Sequence, residues 1–301
     1  MQVVSKTDIK ELPLISRGKV RDIYQVSDDS LLIVTTDRMS AFDVVLPDPI
    51  PFKGVVLNQI TLFWMDMFKD LVQNHILVSD FKDFPESLKK YPELNGRSVI
   101  VRKARPLPIE CIVRGYITGS GWKDYQRTGK VSGHVLPEGL LESEMLPDPL
   151  FTPSTKADIG EHDENITIHQ AQAKIGEGLF DKVQELSLEI YKRARDYARN
   201  RGIIIADTKF EFGLSGRELL LIDEVLTPDS SRFWPMEGYA AGRSQPSFDK
   251  QFLRDWLVSS GWDKTPPGPV LPEDVVQKTS EKYREAYRMF TDKDLPIPKS
   301  D

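Results

Sequence analysis

The chain is poor in the residues that build covalent and metal frameworks: its 301 residues include one cysteine and four histidines. A lone thiol, Cys111, excludes an internal disulfide and suits a reducing compartment. It lies in the apolar run IECIV, where a buried thiol serves as a small hydrophobe. His75, His134, His162 and His169 are dispersed and show no zinc-like spacing. No block of Lys or Arg stands out and the formal net charge is -6, so neither nucleic acid nor an anionic membrane is an expected partner. No apolar run approaches the length of a membrane span. The first residues, MQVVSKTDIKELPL, carry neither a signal-peptide core nor an Arg-rich presequence, and a cytoplasmic location is expected. Internal repeats, low-complexity stretches and the Walker pattern GxxxxGK[ST] are also missing.

What remains is an ordinary globular composition, 40% hydrophobic and 29% charged, long enough for one large domain or, preferably, two. Residues 19–26 and 31–35 flank the turn-rich SDDS and predict a hairpin. Apolar spacing at Ile60, Phe63, Trp64, Met67 and Leu71 predicts a helix over 55–71. Residues 98–105 and 109–117 read as strands joined through Pro106 and Pro108. PDPLFTPSTKADIGEHDENIT (147–167) has no period and is expected to be a loop, of a length typical of functional lids or disorder. A strong helix is predicted over 177–201, then strands over 203–213 and 218–225, and two more helices near 248–258 and 273–290. Strands dominate the first third, so the expected class is α/β (α+β), with a mostly antiparallel N-terminal lobe and a larger C-terminal lobe.

The strand IIIADTKFEFG (203–213) begins apolar and then alternates Asp207, Lys209 and Glu211 with Thr208, Phe210 and Phe212. A period of two puts the three charges on one face and the phenylalanines on the other. The next strand repeats the pattern, with LLLI running into Asp223 and Glu224. Neighbouring buried carboxylates are costly without a cation, and Lys209 alone does not balance Asp207, Glu211 and Asp223. Oxygen ligands without nearby His or Cys suit Mg²⁺ shared with substrate phosphates. A solvated strand end with surface ion pairs accounts for the same pattern equally well.

Three further segments have the ingredients of phosphate sites. RGKVR (17–21) places Gly18 between basic residues at the start of the first hairpin. RGYITGSGWK (114–123) has a Gly/Ser turn ahead of an expected short helix, where backbone amides can hold an anion or simply connect two elements. TPDSSRFW (227–234) brings hydroxyls and Arg232 directly after the second acidic strand. Together they favour a site for Mg²⁺ and phosphorylated ligands.

These segments, with TDRMSAFD (36–43), FTPSTK (151–156) and GEHDEN (160–165), resemble in order the phosphoribosylaminoimidazole-succinocarboxamide synthase, or SAICAR synthetase, family. The resemblance runs from about Arg17 to Trp256 and looks nearest to fungal single-function members, which implies a monomer. It implies a two-lobe fold with an antiparallel N-terminal lobe (1–112) and an ATP-grasp-like C-terminal lobe (113–301). It also implies ATP-dependent ligation of L-aspartate to carboxyaminoimidazole ribonucleotide in purine biosynthesis, through an acyl phosphate. Such chemistry rests mostly on positioning and charge neutralisation.

By this resemblance Glu211 and Asp223 are the expected ligands of the ATP-bound Mg²⁺. Gly18, Lys19, Val20 and Arg21 are expected at the ATP phosphates, and Arg114, Ser120 and Arg232 at the ribonucleotide. Asp43 and Asp207 are expected near the reacting carboxylate, as metal ligands or as bases toward the amine. Lys209 would offset developing negative charge. Lys156 would reach the site from a lid over 153–164 that orders when substrates bind. A small-molecule or lipid kinase would use the same metal and phosphate apparatus, and a non-catalytic nucleotide-binding regulator part of it. The second anion site favours the ligase. For Asp223 to face Glu211, an odd-length connection or a β-bulge is expected between Gly213 and Glu218, because a one-residue slip reverses a side chain's face.

Overall fold

The computed structural model describes residues 3–156, 164–248 and 250–296. Two antiparallel sheets carry the site. The first has five strands in the spatial order Leu14–Arg17, Arg21–Gln25, Ser30–Thr35, Ser98–Arg102 and Ile76–Val78. The expected hairpin is its centre, with Arg21 opposite Thr35 and Gln25 opposite Leu31. Alternation along it is clean: Asp22 and Tyr24 are buried, while Arg21 and Ile23 lie on the half-buried face. Tyr24, Leu32, Val34 and Ile100 pack under Phe84, Leu88 and Leu94 as a core of their own.

The second sheet is built around one long strand, Ile203–Ser215. Ile109–Tyr116 pairs along one part of it and Ser231–Pro235 along another. Glu218–Ile222 folds back on its far end. The boundary expected at 112/113 runs through Ile109–Tyr116, which belongs wholly to this sheet. The helix Glu177–Arg199 covers the sheet, with Phe180, Val183, Ile190 and Tyr191 in the same core as Ile203, Ile205, Phe210 and Phe212. The Tyr191 hydroxyl donates to the Ile205 carbonyl at 2.6 Å, tying that helix to the strand. Helix Lys53–Met67 and helix Glu273–Thr291 meet through Trp64 and Phe290.

Two expectations are corrected. Part of the stretch expected to be loop is strand: Met145–Phe151 pairs with Ile109–Tyr116, and Ser154–Thr155 follows it. Its two prolines fit because it is an edge strand whose register shifts between Met145 and Leu150. The lid expectation falls mainly on 157–163, outside the described residues. The connection between Gly213 and Glu218 is also neither odd-length nor bulged. Ser215 pairs with Glu218 around the two-residue turn Gly216–Arg217, and the ladder stays regular up to Glu211 opposite Ile222. The strand ends at Ile222, and Asp223 takes a left-handed backbone, φ 61°, which Asp tolerates better than most residues. That turn, not a bulge, brings Asp223 into the cleft that Glu211 lines.

Backbone links fasten the two sheets together. The Leu221 amide donates to the Gln73 carbonyl at 2.9 Å and the His75 amide to the Leu221 carbonyl at 3.2 Å. His75 is buried at this junction, and burial pushes its imidazole down to about 4 although Asp223 opposes the shift. The unfolded chain therefore takes up a proton near 6.5, and the folded chain does so only near 4. Stability is full above that window and is lost as pH falls through it. We expect the stability difference between about pH 7.5 and about pH 5 to be larger by about 2 kcal/mol in the native chain than in His75→Gln. Urea unfolding at both pH values measures it, and equal pH dependence in the two proteins would contradict a buried neutral imidazole.

Candidate active site

The charged face of Ile203–Ser215 is answered residue by residue on its neighbours. Arg114 stands directly opposite Asp207 on one side and Arg232 directly opposite it on the other. The second match depends on a register shift between Ile205 and Asp207, where the chain gains one residue against Ser231–Pro235. Without it Arg232 would face Ala206. The Asp207 carboxylate is buried and accepts from Arg114 Nη1 at 3.1 Å and from Arg232 Nη1. Arg114 also donates to Thr152 Oγ1 and Ser120 Oγ, both at 3.0 Å. Burial lowers the Arg114 pKa, and Asp207 counters it.

The next charge along, Lys209, donates to Glu110 Oε1 at 2.6 Å. Burial works against its charge, but Glu110 more than offsets this and the lysine pKa is raised. Ser154 Oγ donates to the other Glu110 oxygen at 3.0 Å. Glu211 then pairs with Lys156 Nζ at 2.5 Å. Across the cleft, Arg21 grips two acids at once, Asp223 at 2.7 Å and Glu224 at 3.1 Å. Burial opposes its charge, and those carboxylates hold its pKa up.

Glu211, Asp223 and Lys156 line one end of a cleft of about 230 Å³ between the sheets. Ile23, Ile33 and Val101 of the first sheet form an apolar wall of the same cleft. Lys19 pairs with Asp43 at an exposed position. The turn that carries Gly18, Lys19 and Val20 is stapled by Arg38, which donates to the Gly18 carbonyl at 2.9 Å, the Lys19 carbonyl at 3.1 Å and Asp22 at 2.9 Å. The expected residues thus form two groups on one strand: a guanidinium end with Arg114, Ser120, Asp207 and Arg232, and a cleft end with Arg21, Lys156, Glu211 and Asp223. Lys209 lies between them. Asp43 and Lys19 are paired with each other.

The helix Gly119–Thr128 begins inside the motif TGSGW, earlier than the sequence suggested. Its glycines are there for space. A β-carbon on Gly119, whose φ is 58°, would come within 2.4 Å of Arg232 Nη2, and one on Gly121 within 3.1 Å of Arg114 Cδ. The segment therefore packs closely against the two guanidinium groups.

The whole-chain pattern agrees with this geometry. Residues 14–269 match the model of the SAICAR synthetase family. The chain belongs to the SAICAR synthetase family. A relative from Maridesulfovibrio salexigens named phosphoribosylaminoimidazole-succinocarboxamide synthase is 68% identical, with 97% of this chain and 98% of that one covered. One from Geobacter sulfurreducens is 57% identical, over 97% and 99%. A SAICAR synthase from Saccharomyces cerevisiae, solved complexed with SAICAR, superposes with TM-score 0.89 at 46% identity, over 98% of this chain and 100% of that one. The likeness to bacterial members thus exceeds that to the yeast protein, against the fungal expectation. A SAICAR synthetase in complex with ADP shares the fold at TM-score 0.69 and 24% identity, over 94% and 99%.

Sequence reasoning passed over several residues of this SAICAR synthetase-family site. Glu110 and Arg38 lie within segments already singled out, but as single charges without a partner in sequence they carried no signal, and Glu224, noted beside Asp223, was given no role. Asn165, which donates to Asp124 at 2.7 Å, closes the guanidinium group from the chain just after 157–163. We expect Gly119→Ala to weaken binding of phosphomonoester ligands about tenfold by pushing Arg232 off Asp207, while the fold persists. Isothermal titration with ribose 5-phosphate measures it, and unchanged affinity would mean that Arg232 does not use this space.

Proposed function

We propose that this chain catalyses ATP-dependent ligation of L-aspartate to the carboxylate of carboxyaminoimidazole ribonucleotide, forming SAICAR, ADP and phosphate. The observation that carries the reading is the single charged strand face with a paired-arginine end and an acidic cleft end. Asp207 and Glu211 lie four residue steps apart along the strand, about 13 Å at the usual rise. A phosphorylated heterocycle laid along this face can set its 5′-phosphate at Arg114 and Arg232 and its carboxylate toward the cleft. The apolar wall of Ile23, Ile33 and Val101 suits a purine base above the acids.

Glu211 and Asp223 fit Mg²⁺, which takes one or two carboxylates and completes its shell with phosphate and water oxygens. No group of three metal-ligating side chains exists among the described residues. When bound, the ion would neutralise charge on the transferring phosphoryl group. The chain's own cations serve the same end. Arg21, Lys19 and the turn at Gly18 and Val20 approach the phosphates from the first sheet, and Lys156 from beside Glu211. Lys209, kept charged by Glu110, stands midway along the face, where negative charge develops as the carboxylate becomes an acyl phosphate.

Asp207 is clamped by two guanidinium groups and therefore orients cations. It is poorly placed to remove a proton from the aspartate amine. Asp43, more exposed, is the better candidate for that step. A kinase reading keeps the cleft but leaves the paired-arginine end without a purpose. The deciding experiment is ADP release: it should require aspartate and the imidazole ribonucleotide together, and release with either one alone would refute the ligase. Glu211→Gln and Asp223→Asn should each lower kcat at least about a hundredfold while remaining folded. Near-normal turnover in either at ordinary Mg²⁺ concentration would remove that residue from the metal site.

A further inference from the structure

Asp229 belongs to the TPDSSRFW motif, yet its carboxylate is held by residues of the helices. Its carboxylate accepts from Lys53 Nζ at 2.8 Å and from the Tyr283 hydroxyl at 2.6 Å, and it pairs with Lys250 Nζ at 3.0 Å. The Lys53 and Asp229 side chains are 0% and 3% exposed. The partners come from three separate helices: Lys53 opens Lys53–Met67, Lys250 precedes Gln251–Ser259, and Tyr283 lies in Glu273–Thr291. None of these four side chains is among those that line the cleft between the sheets. A buried carboxylate bound to two ammonium groups and a phenol is an anchor with little freedom to move.

What it anchors is the short loop between the acidic strand and Arg232. At one end Thr227 Oγ1 donates to Glu224, the second acid held by Arg21. In the middle the Lys209 amide donates to the Ser230 carbonyl at 3.0 Å. At the other end Thr208 and Ser231 share a hydroxyl hydrogen bond of 2.8 Å, immediately before Arg232 meets Asp207. This one loop therefore joins Arg232 and the Lys209 backbone to the helices: Val225 and Leu226 are buried in the helical core, and Asp229 is the loop's ionic tie to it.

We propose that Asp229 is a positioning residue for the ribonucleotide site, and that Tyr283 makes the C-terminal helix part of that site's support. The helix lies beyond residues 14–269, the stretch matched by the family model. Loosening the anchor lets the loop shift and misaligns Arg232 without removing any group that touches substrate. The inference rests on the reading of Arg232 as a contact to the phosphorylated substrate.

The test uses the full chain. Dependence of ADP release on all three substrates in the native protein checks the underlying reading first and separately. Tyr283→Phe removes one hydrogen bond from the anchor, and we expect it to raise KM for carboxyaminoimidazole ribonucleotide about fivefold to tenfold with kcat within about twofold. Lys250→Met should act in the same direction, and Lys250→Arg should restore KM to within about twofold of the native value. If Tyr283→Phe and Lys250→Met lower the melting temperature but leave KM unchanged, the cluster is only structural and the proposal fails. Equal KM shifts in Lys250→Met and Lys250→Arg would also overturn it, since the charge on Asp229 would then not matter.

Discussion

The site depends on a strand that is apolar on one face and ionic on the other. Phe210 and Phe212 anchor Ile203–Ser215 in the core, so Asp207, Lys209 and Glu211 have only one direction available. Charges fixed in that way need counter-charges at fixed places. The flanking strands supply them at matching positions: Arg114 and Arg232 for Asp207, Glu110 for Lys209, and the chain after Ser154–Thr155 for Glu211. Each ion pair therefore doubles as a register mark. A slip of any neighbour would leave a charge facing an apolar side chain.

The first sheet meets this surface at one end only. Its Arg21 reaches across to Asp223 and Glu224, and backbone bonds around Leu221 fix the junction nearby. The cleft is thus bounded by two different materials. One wall is aliphatic and indifferent to charge, and the opposite end is almost wholly ionic. A ligand with a flat apolar ring and a polyphosphate tail meets both requirements at once, and an all-polar or all-apolar ligand meets only one.

Much of this was legible in the residues. Alternation at 207–212 gave the two faces of the central strand, because period two is a local property. Motif order identified the family and its expected residues. What could not be read was set by pairing at a distance. Glu110 is one acid among many until strand register puts it beside Lys209. The place where the second strand stops was equally illegible: pairing ends at Ile222, and the left-handed backbone of Asp223, not a bulge, turns that residue toward the cleft. The edge strand Met145–Phe151 was hidden by its prolines, which local reasoning rightly counts against a strand and which an edge nevertheless accepts. Asp229 was inconspicuous because its partners lie far away in sequence, two of them in the final third of the chain.

The site's cations and anions are already matched to one another before any substrate arrives. Arg21 holds Asp223 and Glu224, Lys156 holds Glu211, and Lys209 holds Glu110. Entry of a ligand is consequently an exchange of partners in place of a simple attraction. A stray anion must displace a built-in carboxylate and leave that carboxylate uncompensated, so it gains little. On the proposed reading, a nucleotide that brought its own divalent ion would replace both members of a pair together, its phosphate facing the lysine or arginine and its metal facing the acid. Under the proposed reading, internal pairing at the cleft end would act as a filter, favouring a matched ion-and-phosphate set over a bare inorganic anion.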